Sequence, residues 1–187
     1  MNTRILLLTL ISLFAGLVAQ AATLPQRDHL TQQEVDLVKE AQELDKRTDV
    51  FIKAAERRML VINGGGATAA NAKQLKKDSE RWGELPTGSR AELVSDIARI
   101  FDEAITNIDN VHDRDEQNPL ISKSLRKLAA AVNSIMAQIK PLSTEAKGEA
   151  EIASFELLNE DAKSILEAAG KLPPEVVDKK AKKNNPR

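Results

Sequence analysis

From residue 31 to residue 170 the apolar side chains return every three or four positions, and no segment alternates apolar with polar residues in a β-branched or aromatic setting. A spacing of three and four marks one face of an α-helix, whereas alternation would mark a strand. The chain is therefore expected to be all-α. Aromatic residues make up 3% of it and tyrosine is absent, which leaves a β-sandwich or barrel short of the residues that favour such sheets.

Capping residues set the expected boundaries. Thr31 and Glu34 form a capping box, in which the hydroxyl accepts from the amide of Glu34 while Glu34 reaches back; Leu30 and Val35 staple across it. From there Leu37, Ala41, Leu44, Thr48, Phe51, Ala55 and Ile62 predict one long helix that closes against Gly64. Glu43 with Arg47, and Asp49 with Lys53, stand at the i, i+4 spacing of surface ion pairs. Ser89 and Glu92 form a second box, and Leu93, Ile97, Ile100, Phe101, Ala104, Ile108 and Val111 trace a second long helix up to Asn118-Pro119. Asn118 caps a third helix with Pro119 in its first turn, where the missing amide costs nothing. Leu125, Leu128, Val132, Ile135, Met136 and Ile139 line it, and it is expected to stop before Pro141. A fourth helix is expected from Ser143 and Thr144 to a left-handed cap at Gly170. The connections around residues 118 and 142 are only a few residues long, which argues for antiparallel neighbours and an antiparallel four-helix bundle. Residues 71–82 have room for a short fifth helix in the first crossover. Phe51, Phe101 and Phe155 fall near the middles of their helices, and the remaining helix offers Ala129, Ala130 and Ala131 there, so rings and alanines are expected to share a layer.

The two ends read differently from the middle. Arg4, the apolar run Ile5 to Ala19 and Ala19-Gln20-Ala21 before Ala22 have the form of a secretory signal, so residues 1–21 are expected to be cleaved. The run is shorter than the roughly 20 residues a membrane-spanning helix needs, and no second one follows, so no transmembrane span is expected once the signal is cleaved. Export into the periplasm or beyond permits disulfides, yet the chain has no cysteine. Its stability must come from the core of residues 22–170. Losing Arg4 leaves 26 basic against 28 acidic residues, and this near-neutrality gives no reason to expect nucleic acid as a partner. Residues 171–187 end in Lys179, Lys180, Lys182, Lys183 and Arg187, a basic tail expected to be disordered and suited to an anionic surface.

Chemistry is sparse in the middle. Asp109-x-x-His112 is half of a di-iron motif, and no second helical histidine completes it, since His29 precedes the first helix. Asp113 could open a calcium loop, but Asn118 replaces its glycine and Ser124 its closing glutamate. Asp109, His112, Asp113, Asp115 and Glu116 are thus candidates for weak cation contact at most. Gly64-Gly65-Gly66 lacks the lysine of a phosphate loop, no Gly-x-Ser-x-Gly elbow exists, and haem attachment would need cysteines. No cofactor and no enzymatic activity are expected. Candidates for contact with a protein partner are Trp82, an aromatic in a polar segment, and Lys46, Arg47, Arg57 and Arg58.

Two stretches carry resemblances. Leu30-Thr31-Gln32-Gln33-Glu34 is similar to the L-T-x-x-Q motif of the periplasmic helical chaperone and stress-sensor family related to Spy and CpxP, although it ends in Glu34 and occurs once where those proteins carry two. Ala41-Gln42-Glu43-Leu44-Asp45-Lys46-Arg47 resembles the first helix of a group of uncharacterised exported bacterial helical proteins, and implies export without an activity. The expectation is a non-enzymatic helical protein of the bacterial envelope that offers helix faces to a protein partner or to a second copy. The alternatives are a bundle binding a small ligand or divalent cation, and a chaperone-like stress protein of the periplasm.

Overall fold

The computed structural model describes residues 27–65 and 72–174, and every regular element among them is a helix. In chain order these are α1 (Gln32–Glu40), α2 (Leu44–Ile62), α3 (Ala72–Trp82), α4 (Arg90–His112), α5 (Pro119–Ser143) and α6 (Glu149–Gly170). None is long and apolar enough to cross a membrane. The expected signal, residues 1–21, and the lysines of the basic tail lie outside the described residues.

Both capping boxes form as expected, on Thr31 with Glu34 and on Ser89 with Glu92, and Asn118 caps α5 with Pro119 behind it. The single long first helix does not. It breaks at Ala41, whose ψ of 90° leaves the helical region. Side chains satisfy carbonyls that the break frees: Arg47 Nε donates to Ala41 O at 3.1 Å and Gln42 Nε2 to Lys39 O at 2.8 Å. The apolar period runs through the break because its two sides feed different cores. Leu37 packs with Val50 and Trp82 in a small outer cluster, whereas Leu44 enters the main core with Phe51.

Two further boundaries move. α5 continues through Pro141 to Ser143. The proline falls in the last turn, where a lost amide disturbs little, and the hydroxyls of Ser143 and Thr144 donate to the carbonyls of Lys140 and Pro141 at 2.9 and 2.7 Å. α6 starts at Glu149 behind Gly148, not at Ser143 and Thr144, and it ends on a right-handed Lys171 with Gly170 still helical. The left-handed glycine here is Gly148, at φ 91°. A Cβ at Gly148 would meet no atom within 4 Å, so Gly148→Ala tests backbone strain alone. It is expected to lower stability by about 1 kcal/mol in urea denaturation.

Ion pairs and hydrogen bonds give the helix directions. Arg47, early in α2, bonds Asn107, late in α4, and Arg58 faces Asp96, so these two helices are antiparallel. Arg126, early in α5, donates to Pro173 beyond the end of α6, so these two are antiparallel as well. Asp45 with Lys123 and Asn63 with Gln138 make α2 and α5 parallel, and Arg90 with Glu151 makes α4 and α6 parallel. α2 packs on α4 and α5, and α6 packs on the same two. The short connection between α4 and α5 therefore does not make every neighbour antiparallel, because side-by-side pairs of like direction complete the set. The expected surface pairs also give way to tertiary ones: Asp49 binds Lys127 at 2.8 Å and Lys53 binds Asp78 at 3.2 Å.

The main core lies among α2, α4, α5 and α6. Phe51, Phe101, Phe155 and Ala129 belong to it together, while Ala130 faces solvent and Ala131 is partly buried, so one alanine of the expected three joins the ring layer. α1 lies on the outside of α2 and meets α3 there.

Candidate functional site

Beneath α1 the chain buries charge. Glu34, the glutamate of the first capping box, is fully buried, and Arg57, Arg58 and Asp96 are almost so. One carboxylate oxygen of Glu34 accepts from the Thr31 amide at 2.9 Å. The other accepts from Arg57 Nε at 3.1 Å and from an Arg58 guanidinium nitrogen at 2.6 Å. A single acid thus closes its own helix and neutralises two arginines of α2. Such a group is tolerable in a low-dielectric interior only because its acceptors are filled by charged donors.

The arginines in turn hold loops. Arg57 donates to the carbonyls of Trp82 and Gly83, each at 3.2 Å, and to that of Glu84. Its guanidinium carbon lies 5.8 Å from the centre of the Trp82 ring, a cation–π distance. Arg58 donates to Ala54 O at 2.9 Å and to His29 O at 2.6 Å. Arg27 bonds Asp96 at 3.0 Å and also the Thr87 carbonyl. His29 pairs with Glu103 at 2.8 Å. Residues 27–31, α1 and the segment 83–88 are thereby strapped onto α2 and α4 by side-chain charge. Burial pushes the Arg57 guanidinium below its ordinary range, against the pull of Glu34. Burial also raises the Asp96 carboxyl, against Arg27 and Arg58.

Over this network two cavities open. The first, of about 540 Å³, is lined by Lys53, Arg57, Leu60, Lys76, Asp78 and Leu85 among others. The second, of about 770 Å³, is lined by Arg27, Leu30, Thr31, Arg58, Glu84 and Pro86 among others. Ser79, Gly83 and Leu85 line both, so the two adjoin across the end of α3 and the 83–88 segment, and the pair is here called the trench. Leu30, Leu60, Leu85 and Pro86 are its apolar lining, among charged residues of both signs.

The expected partner residues separate. Arg57 and Arg58 are not available to a partner, since Glu34 draws them inward, and Trp82 is 9% exposed beneath Arg57. Arg47 turns back to Ala41 and Asn107. Lys46 is exposed and lines a cavity of about 490 Å³ with Glu43, Arg81 and Trp82. Asp109, His112, Asp113, Asp115 and Glu116 are all exposed at the end of α4 and in the following turn. No group of three acids or histidines among the described residues is placed to hold a metal ion.

The trench and its network had one sequence signal. Phe51, Ala54, Arg58 and Ile62 follow one another at steps of three and four, so Arg58 stands in the apolar stripe itself. A charge in such a place calls for a buried counter-charge. Compared with protein-family models, with curated proteins and with solved structures, the chain matches none.

Proposed function

We propose that the chain is a non-enzymatic, exported helical protein of the bacterial envelope, a four-helix bundle of α2, α4, α5 and α6 that binds an extended segment of a protein partner in the trench. The observation that carries this reading is that the two cavities adjoin, sharing Ser79, Gly83 and Leu85. Sites for small molecules are single concave pockets with a few convergent polar groups. These two cavities adjoin and mix apolar lining with charge, while Glu34 already pairs with Arg57 and Arg58. A lining that mixes leucine and proline with both signs of charge suits a peptide segment. The non-enzymatic part of the reading is supported by the histidines. His29 is engaged by Glu103, His112 is exposed, and among the described residues no serine or threonine hydroxyl bonds to either.

The test is capture from envelope extract on the mature chain from Ala22, beside Leu85→Glu, which places a charge in the trench lining, and Lys46→Glu, which lies outside it. A partner held by the wild-type chain and by Lys46→Glu but lost with Leu85→Glu is the expected result. Capture indifferent to Leu85→Glu overturns the trench as the surface. An empty capture with a bound small molecule in native mass spectrometry overturns the protein partner in favour of a ligand-binding bundle.

A further inference from the structure

α6 packs on α4 and α5, and one of its faces is left to solvent. Ile152 stands on that face, 46% exposed, the most exposed of the large apolar side chains among the described residues. At steps of seven residues, about two turns each, the same face carries Asn159 and then Leu166. Between those two a groove of about 440 Å³ opens, lined by Asn159, Ala162, Lys163, Leu166 and Glu167 with Met136 of α5. It shares no lining residue with the trench. Asn159, Ala162, Lys163 and Leu166 stand at i, i+3, i+4 and i+7, four positions that enclose the hole for a knob from a facing helix. Ile152 is a knob of the right kind. Because α6 is one continuous helix from Glu149 to Gly170, it cannot bring its own Ile152 back into that hole.

We propose that this face joins two copies of the chain, α6 against α6 in opposite directions about a two-fold axis, with Ile152 of each copy seated in the groove of the other. Opposite directions let both knobs seat at once, whereas in parallel helices a shift that brings one Ile152 to the facing groove carries the other away. Charge fits the same partner. Glu149 and Glu156 bracket Ile152 at i−3 and i+4 and are exposed, while exposed Lys163 borders the groove and exposed Lys140 stands one turn beyond Met136 on α5. The knob is thus flanked by acids and the hole by amines. Glu167, the one acid of the lining, lies 3.8 Å from Lys163 in the weaker order, base before acid, and both side chains are mostly exposed, so this pair holds Lys163 little.

The experiment is sedimentation equilibrium, with thermal unfolding beside it, on the chain from Ala22, which keeps all six helices. A contact made by one helix pair sits at the small end of specific interfaces, so the dimer is expected to be weak, forming over about 10 μM to 1 mM. Ile152 lies outside the core, so Ile152→Glu should weaken the dimer at least about tenfold at an unchanged melting temperature. Lys163→Glu should weaken it too, and Glu149→Lys with Glu156→Lys added to Lys163→Glu should restore it, because each copy then carries the same match with its signs exchanged. A wild-type chain that stays monomeric up to 1 mM, about the upper end of that range, would overturn the proposal, as would a dimer that Ile152→Glu leaves intact.

Discussion

In urea denaturation Glu34→Ala is expected to lose about 3–5 kcal/mol, the range for breaking a buried ion pair from one side. The argument does not rest on the worth of the ion pairs, which desolvation largely cancels. It rests on what the alanine leaves behind. Arg57 and Arg58, both almost fully buried, would face each other with no carboxylate between them. The first turn of α1 would also lose the acceptor for the Thr31 amide, an effect of about 1 kcal/mol on its own. Glu34→Gln separates the parts, because the amide oxygen can still serve the cap while the charge is gone. It should fall between alanine and wild type. A loss below about 1 kcal/mol for Glu34→Ala would mean that water replaces the carboxylate and that the network is not sealed. Replacing Glu34, Arg57 and Arg58 together by apolar residues of similar volume should harm stability less than Glu34→Ala does.

Phe101→Ala comes second, with an expected loss of about 3–5 kcal/mol. Phe101 is completely buried on α4, the helix packed against α2, α5 and α6 at once, and its ring shares the core with Phe51, Phe155 and Ala129. A cavity there is bounded by several helices, so no single one can move in to fill it. Phe155, 3% exposed on the last helix, should tolerate alanine better, because α6 can shift toward the gap. Equal losses at the two positions would mean that the core relaxes equally around both. Both variants are read from midpoints in urea at unchanged slope.

How much of this was legible beforehand follows from the range of each interaction. Capping boxes are local, and Thr31, Ser89 and Asn118 marked three helix starts correctly. The all-helical class followed from periodicity. Pro141 misled because its rule concerns helix interiors and it stands within two residues of an end. The break at Ala41 was invisible because Leu37 and Leu44 keep the period while entering different cores, a distinction made only by where Trp82 folds. Arg57 and Arg58 read as candidates for partner contact because their carboxylate lies 23 and 24 residues earlier. The like direction of α2 and α5 had no local sign, since Asp45 meets Lys123 across 78 residues. The trench is assembled from α2, α3, residues 27–33 and the 83–88 segment, so beyond Arg58 in the apolar stripe of α2 no one stretch marks it.

The strap over α4 also sets an order of events. A ribosome releases this chain from its amino end, so residues 27–31 and α1 emerge before the helices they bind. The arginines that complete α1 come a helix later, and Asp96 and Glu103, which fasten Arg27 and His29, come 69 and 74 residues after those two. Until α4 has been made, Arg27 and His29 lack their carboxylates, although Glu34 can already meet Arg57 and Arg58 of α2. Contacts this distant in sequence slow folding. The strap of residues 27–31 is thus complete only when α4 is present to supply Asp96 and Glu103.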